Sequence, residues 1–179
     1  MKPSLPGGLS KEERMARILR VDHAGEYGAK RIYAGQLAVL GKSTSGEVIR
    51  HMAEQEERHL KTFDDLLNER QVRPTILHPV WHVAGFALGA ATALMGEKAA
   101  MACTEAVEEV IDEHYAAQAE DLGDAEPELK ATIEEFRAEE LEHRDIAREH
   151  DSAEAPGYDL LTAGVKAGSR LAIWLSTRF

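Results

Sequence analysis

In two stretches of this 179-residue chain, the apolar stripe of a helix is interrupted by a glutamate and a histidine three residues apart. One stripe runs Ile49, Met52, Glu56, His59, Phe63, Leu66, and the other Leu129, Ile133, Phe136, Glu140, His143, Ala147. Steps of three and four residues mark one face of an α-helix, so both Glu-x-x-His pairs lie where the core is expected. An ionised carboxylate buried without a partner costs several kcal/mol, so two such pairs demand a strong counter-charge. A three-residue step lets a glutamate and a histidine of one helix grip a single metal ion. Two-metal centres in helical bundles combine two such motifs with one glutamate from each of two further helices.

The chain offers both further glutamates. Met15, Leu19, Asp22, Glu26, Ala29, Tyr33, Leu37 and Leu40 share one helix face, with Glu26 central. Met101, Glu108, Ile111, Tyr115 and Leu122 share another, with Glu108 central. Glu26 precedes Glu56 by 30 residues and Glu108 precedes Glu140 by 32, so the chain reads as two helical hairpins of one architecture. The predicted ligands are therefore Glu26, Glu56, His59, Glu108, Glu140 and His143, with Glu56 and Glu140 or Glu26 and Glu108 bridging. Four carboxylates balance two divalent ions, and mixed carboxylate and imidazole donors suit iron or manganese. Glu57, Glu109, Glu139 and Glu142 fall off the stripes, where solvated faces are expected, but spacing alone leaves the register open between Glu56 and Glu57 and between Glu108 and Glu109. On spacing alone, His114 reads as a rim residue. Tyr115 either lines the pocket or packs. Asp22, one turn before Glu26, either orients a ligand histidine or is an ordinary helix-face acid.

The fold predicted is all-α: a ferritin-like four-helix bundle with additional amphipathic, membrane-associating helices, in one domain over residues 1–179. Ser10 and Glu13 form a capping-box pattern opening a helix over 10–40 that stops at Gly41. Gly25, Gly28 and Gly35 within it suggest close approach to a neighbouring helix or cofactor. Further core helices are predicted over 44–72, 97–122 and 126–150, with Asp124 and Pro127 marking the start of the last. An apolar segment spans 79–95, and a final helix 159–176 carries Leu160, Leu161, Leu171, Trp174 and Leu175. From Val83 to Met95 no residue is charged, which is too short to cross a bilayer but suits a buried or interfacial helix.

Composition narrows the function. A net charge of −11 argues against a nucleic-acid partner. The single cysteine, Cys103, excludes an intramolecular disulfide and a thiolate metal site, and its Ala- and Met-rich surroundings mark it as a small core residue. The first residues lack a secretory or transit signal, which suggests a bacterial protein. There is no Gly-x-Gly-x-x-Gly nucleotide fingerprint.

The segments RVDHAGEYGAKRIYAGQLAVLG (Arg20 to Gly41), GFALGAATALMGEKAAMACTEAVEE (Gly85 to Glu109) and FRAEELEHRDIA (Phe136 to Ala147) resemble the demethoxyubiquinone hydroxylase family. The likeness extends to the RLAIWLS tail, Arg170 to Ser176. The family's six di-iron ligands match the six residues above, and its His-Tyr pair matches His114 and Tyr115, candidates for the substrate or electron path. The resemblance implies a di-iron monooxygenase of ubiquinone biosynthesis. Such an enzyme hydroxylates the ring of a polyprenylated demethoxyubiquinone or demethoxyubiquinol with O2 and NADH or a reductase. It implies contact with membrane lipid, peripherally on the cytoplasmic side of a bacterial inner membrane. An accessory lipid-binding protein and a homo-oligomer are further expected partners. The rival readings are a ferritin-like iron-storage or peroxide-handling protein, which should lack the apolar segments, and a non-enzymatic quinone- or lipid-binding protein.

Overall fold

A computed structural model describes residues 9–179; residues 1–8, which fall within the predicted domain, lie outside the described part. The described chain forms six α-helices: α1 (Lys11–Leu40), α2 (Gly46–Glu69), α3 (His78–Leu94), α4 (Glu97–Leu122), α5 (Pro127–Glu149) and α6 (Tyr158–Ser176). A short 3-10 turn, Ser152–Glu154, joins the last two. The helices match the sequence-based bounds to within one or two residues, except that α2 stops at Glu69, three residues early.

Their ends follow local chemistry. Ser10 caps α1 reciprocally: its hydroxyl accepts from the Glu13 amide at 3.1 Å, and its own amide donates to the Glu13 carboxylate at 2.7 Å. The stop at Gly41 does not use the left-handed conformation expected of a terminal glycine, because its φ is −59°. What excludes a side chain there is space, since a Cβ would meet the Leu37 carbonyl at 2.5 Å. Gly123, with φ +52°, ends α4 in the glycine-favoured region. Asp124 does not cap α5; Glu126 precedes Pro127, which fills the first helical turn.

α1 pairs with α2 and α4 with α5, and the two hairpins face each other across the core. Two apolar layers close that core. Leu19, Phe63, Leu122, Ile133 and Phe136 lie in one cluster, and Ile49, Met52, Met101 and Ala147 in the other. Along α2 the layers flank Glu56 and His59, and along α5 they flank Glu140 and His143. Leu67 rather than Leu66 completes the buried stripe of α2. Cys103 is fully buried, and burial pushes its thiol up to about 12, as befits a packing residue.

α3 lies against α1 through glycines. A Cβ on Gly89 would run into the Ile32 carbonyl, one on Gly35 into the Phe86 carbonyl, and one on Gly85 would sit 2.9 Å from the Gly28 carbonyl. Backbone meets backbone here, so no side chain can yield. A polar latch holds the first turns of α3. His23 Nε2 is 2.8 Å from Asp64, His78 Nε2 is 3.2 Å from His23 Nδ1, and the Tyr27 hydroxyl is 2.7 Å from His82. Gly25 and Gly28 are different, because a Cβ on either meets nothing within 4 Å. Their faces open onto a cavity described below.

Most exposed large apolar side chains sit on or beside α3 and α6, including Ile76, Val80, Val83 and Leu94, and Leu160, Leu171, Trp174 and Phe179. No helix of the described residues is long and apolar enough to cross a membrane.

The two glycine classes predict opposite responses to alanine. Gly89→Ala is expected to lower stability by about 1–3 kcal/mol through overpacking. Gly25→Ala is expected to leave stability unchanged or raise it by about 0.5–1 kcal/mol through helix propensity. Urea denaturation of both variants checks this, and equal effects would contradict the backbone contact.

Candidate metal centre

The six predicted ligand residues converge. Glu26 comes from α1, Glu56 and His59 from α2, Glu108 from α4, and Glu140 and His143 from α5, and none is more than 1% exposed. Their donor atoms fall into two overlapping groups. In each group, single ligand atoms lie within 4.8 Å of one another: Glu26, Glu56, His59 and Glu140 in one, and Glu56, Glu108, Glu140 and His143 in the other. Glu56 and Glu140 belong to both, so of the two bridging schemes the geometry favours this pair.

The atoms facing this volume lack partners. Glu26 Oε2, both oxygens of Glu56 and of Glu140, Glu108 Oε2, His59 Nδ1 and His143 Nδ1 are buried without a hydrogen bond. His59 Nδ1 lies 3.1 Å from Glu140 and 3.3 Å from Glu26, and His143 Nδ1 lies 3.3 Å from Glu56 and from Glu140. Orphaned buried polar atoms are rare in folded proteins. These are all metal donors aimed inward, so the residues present fit a pair of cations.

The outward atoms are satisfied, and they follow the repeat. The Tyr115 hydroxyl of α4 donates to Glu26, and the Tyr33 hydroxyl of α1 donates to Glu108 at 2.7 Å. Each tyrosine stands seven residues after the glutamate on its own helix. His59 Nε2 is 2.7 Å from Glu139, and His143 Nε2 is 2.9 Å from Gln55. Gln55 and Glu139 each immediately precede a Glu-x-x-His glutamate. Gln118 donates to Asp22 at 2.6 Å, and Gln36 donates to Thr104 at 3.2 Å, the two glutamines again occupying matching positions.

Several sequence-based assignments change. Glu139 is not on a solvated face: its side chain is 18% exposed and backs His59 while pairing with Arg58. Asp22 does not orient a ligand histidine; it accepts from Gln118 and lies 3.4 Å from His114. His114 is indeed at the rim, with its side chain 22% exposed, whereas Tyr115 is buried against Glu26. Gln55 lies off the stripe of α2 and carries no helical-spacing signal, and the spacing of Tyr33 marks it only as a stripe residue of α1. Aligning the two hairpins on their ligands exposes both, because each has a counterpart at the same offset.

Without metal the cluster must hold protons. Burial, reinforced by the charge of Glu140, pushes Glu56 and Glu108 well above the usual carboxylate range. Burial also raises Glu26. Glu140 feels the same burial, but the imidazoles of His143 and His59 outweigh it and bring it to about 2. Burial opposes a charge on His59, yet Glu140 and Glu26 raise it to about 12; burial opposes a charge on His143 too, and there Glu140 and Glu108 outweigh it and raise the imidazole. Tyr33 and Tyr115 are raised by burial and remain donors.

A pH dependence follows. Raised groups bind more protons folded than unfolded, so their stabilisation is complete below the unfolded values and fades as pH rises through the folded ones. Glu140 acts oppositely, but its contribution changes only below 4.5. The melting temperature of metal-free protein should therefore fall as pH rises from about 5 to 9, and metal should bind more tightly over the same window with proton release. Scanning calorimetry with and without metal checks this; a metal-free melting temperature rising across that window would contradict it.

Beside the cluster lies an apolar cavity of about 380 Å³ between α1, α3, α4 and α6. Its lining includes Gly25 and Val107, the chain neighbours of Glu26 and Glu108, and Ala29 and Ile111, which follow those glutamates by three residues. Trp81, Gly85 and Leu88 of α3 face Gly168, Ala172 and Ile173 of α6 across its outer part. The Trp81 indole donates to the Ser176 hydroxyl at 3.1 Å, tying the two helices together there.

Known proteins share this sequence along nearly its whole length. A 3-demethoxyubiquinol 3-hydroxylase of Rhodospirillum rubrum is 60% identical over 175 residues, covering 97% of this chain and 82% of the relative. An NADPH-dependent 3-demethoxyubiquinone 3-hydroxylase, mitochondrial, of Bos taurus is 55% identical over 170 residues, covering 93% and 78%. A 5-demethoxyubiquinone hydroxylase, mitochondrial, of Saccharomyces cerevisiae is 45% identical over 179 residues, covering 90% and 77%. The family described as ubiquinone biosynthesis protein COQ7 matches residues 13–176, and this chain belongs to that family.

Proposed function

We propose that this chain hydroxylates the ring of a polyprenylated demethoxyubiquinol at a di-iron centre, with O2 as oxygen source and NADPH as reductant. The observation that carries this reading is the pairing of an orphaned Glu/His donor cluster with an apolar cavity whose lining includes the chain neighbours of Glu26 and Glu108. An iron store or peroxide scavenger needs no such cavity. The activities of the Rhodospirillum rubrum and Bos taurus relatives support the substrate class, and the bovine name supports NADPH where the family resemblance implies NADH or a reductase.

The reaction balances as ring C–H, O2, NADPH and a proton giving ring C–OH, water and NADP+. Iron held by the cluster supplies the reductive activation of dioxygen. The residues divide the remaining work. Glu56 and Glu140 span both positions; His59 and Glu26 complete one, His143 and Glu108 the other. The Tyr115 and Tyr33 phenols fix the terminal glutamates by charge-assisted hydrogen bonds. The cavity takes the substrate, its apolar walls excluding water from the reacting ring. Because Gly25 and Gly28 carry no side chain, the α1 wall leaves room for a flat ring or a tail.

A polyprenyl substrate resides in a bilayer, so the enzyme must work at one. The exposed apolar side chains of α3 and α6 flank the cavity and would enter the interface, with the bundle remaining outside. In this reading the protein works peripherally on the membrane that holds the quinone, for a bacterial protein the cytoplasmic side of the inner membrane. A lipid-binding accessory partner and self-association are compatible with the same face.

Iron-loaded protein, NADPH and a demethoxyubiquinol in vesicles should yield the ring-hydroxylated product, with 18O2 labelling the new hydroxyl. Binding of the quinol without product would refute the enzyme reading. Gly28→Leu, which fills the cavity, should cut turnover by about tenfold or more at unchanged iron content; unaltered turnover would remove the cavity from the mechanism. Val83→Glu with Trp174→Glu should weaken vesicle binding by about tenfold or more, and full retention would exclude α3 and α6 as the docking face.

A further inference from the structure

The two halves of the metal centre repeat one another in every ligand and in the tyrosine above each terminal glutamate, but not in what stands behind the histidines. His59 Nε2 faces the Glu139 carboxylate at 2.7 Å, whereas His143 Nε2 faces the Gln55 carboxamide oxygen at 2.9 Å. Both acceptors occupy the same position in their hairpins, and glutamate and glutamine have nearly the same shape. The difference is charge alone. We propose that the two metal positions are chemically unequal, the one at His59 and Glu26 taking up metal first and holding it more tightly than the one at His143 and Glu108. This rests on reading the cluster as a two-metal centre.

The physical reason is donor strength. In both histidines Nδ1 faces the ligand volume, so the proton belongs on Nε2 and is donated outward. A carboxylate accepting that hydrogen bond pushes electron density into the ring and makes Nδ1 a stronger donor than a neutral amide does. Arg58 pairs with the same Glu139 oxygen and withdraws part of that effect. Its side chain is 52% exposed, however, so water screens its charge, while His59 is fully buried against the carboxylate. A second difference has the same sense: Asp22 lies one turn before Glu26 where Thr104 lies one turn before Glu108. His114, 3.4 Å from Asp22, offsets some of that charge, so the histidine backing carries the argument. The His143 position is left the more electrophilic of the two.

Zinc is a suitable probe, being diamagnetic, redox-inactive and bound by both imidazole and carboxylate donors. Full-length protein labelled with 15N at histidine is titrated with Zn2+, and the ring nitrogens of His59 and His143 are followed individually by NMR. Outer hydrogen-bond partners shift metal affinity by about 10–100-fold, so His59 should respond across the first equivalent and His143 across the second. In the double variant Q55E/E139Q, which exchanges the two backings at constant composition, the order should reverse. Should that variant fail to fold, E139Q alone should make both rings respond together. Simultaneous response in the unaltered protein, or an order that survives the exchange or E139Q, overturns the inequality alone. No response of either ring overturns the two-metal reading with it.

Discussion

Four carboxylates and two imidazoles on the inward stripes of four helices dominate this molecule's energetics. An ionised carboxylate taken out of water costs several kcal/mol even after relaxation. Glu26, Glu56, Glu108 and Glu140 pay that penalty together within one small volume. The metal-free cluster escapes by keeping protons on Glu56, Glu108 and the histidines and leaving Glu140 ionised between two imidazoles. Two divalent cations would remove the need for those protons, and metal binding, proton release and stability of the bundle would then form one linked equilibrium.

The surrounding structure serves that cluster. Apolar layers around Phe63, Ile133 and Phe136 on one side and Ile49, Met52 and Met101 on the other keep water from reaching it along the bundle axis. Tyr33, Tyr115, Gln55 and Glu139 use up the outward hydrogen-bonding capacity of the ligands, so that only inward atoms remain unpaired. The side between α3 and α6 is the exception. There glycines set α3 directly on α1, and Gly25 and Gly28 leave space in an apolar cavity whose lining includes the chain neighbours of Glu26 and Glu108. The same device, loss of a side chain, thus gives close packing at Gly85 and Gly89 and empty space at Gly25 and Gly28.

The helices and the convergence of six buried Glu and His side chains were legible because burial has a period. Residues such as Glu140 and His143 fall in register with Ile133 and Phe136, and misplacement on an apolar stripe is readable without coordinates. Residues that reach a ligand sideways escape this test. Glu139 and Gln55 sit one step off the stripe, and only the approach of α2 to α5 turns Glu139 toward His59 and Gln55 toward His143. Asp22 lies on the stripe, yet its partners Gln118 and His114 come from α4, a pairing that helical spacing does not encode. The glycines of α1 also look alike in sequence. Whether each meets backbone or space depends on the angle at which α3 crosses.

The reading of this cluster as a two-metal centre rests on two ions held between Glu56 and Glu140, each completed by one histidine and one terminal glutamate. Crystals of iron-loaded protein measured on both sides of the iron absorption edge would show this. Two anomalous peaks about 3.5–4 Å apart are expected, one beside His59 Nδ1 and Glu26, the other beside His143 Nδ1 and Glu108. A single peak, or iron bound elsewhere with Glu56 and Glu140 left paired only to the histidines, would contradict it.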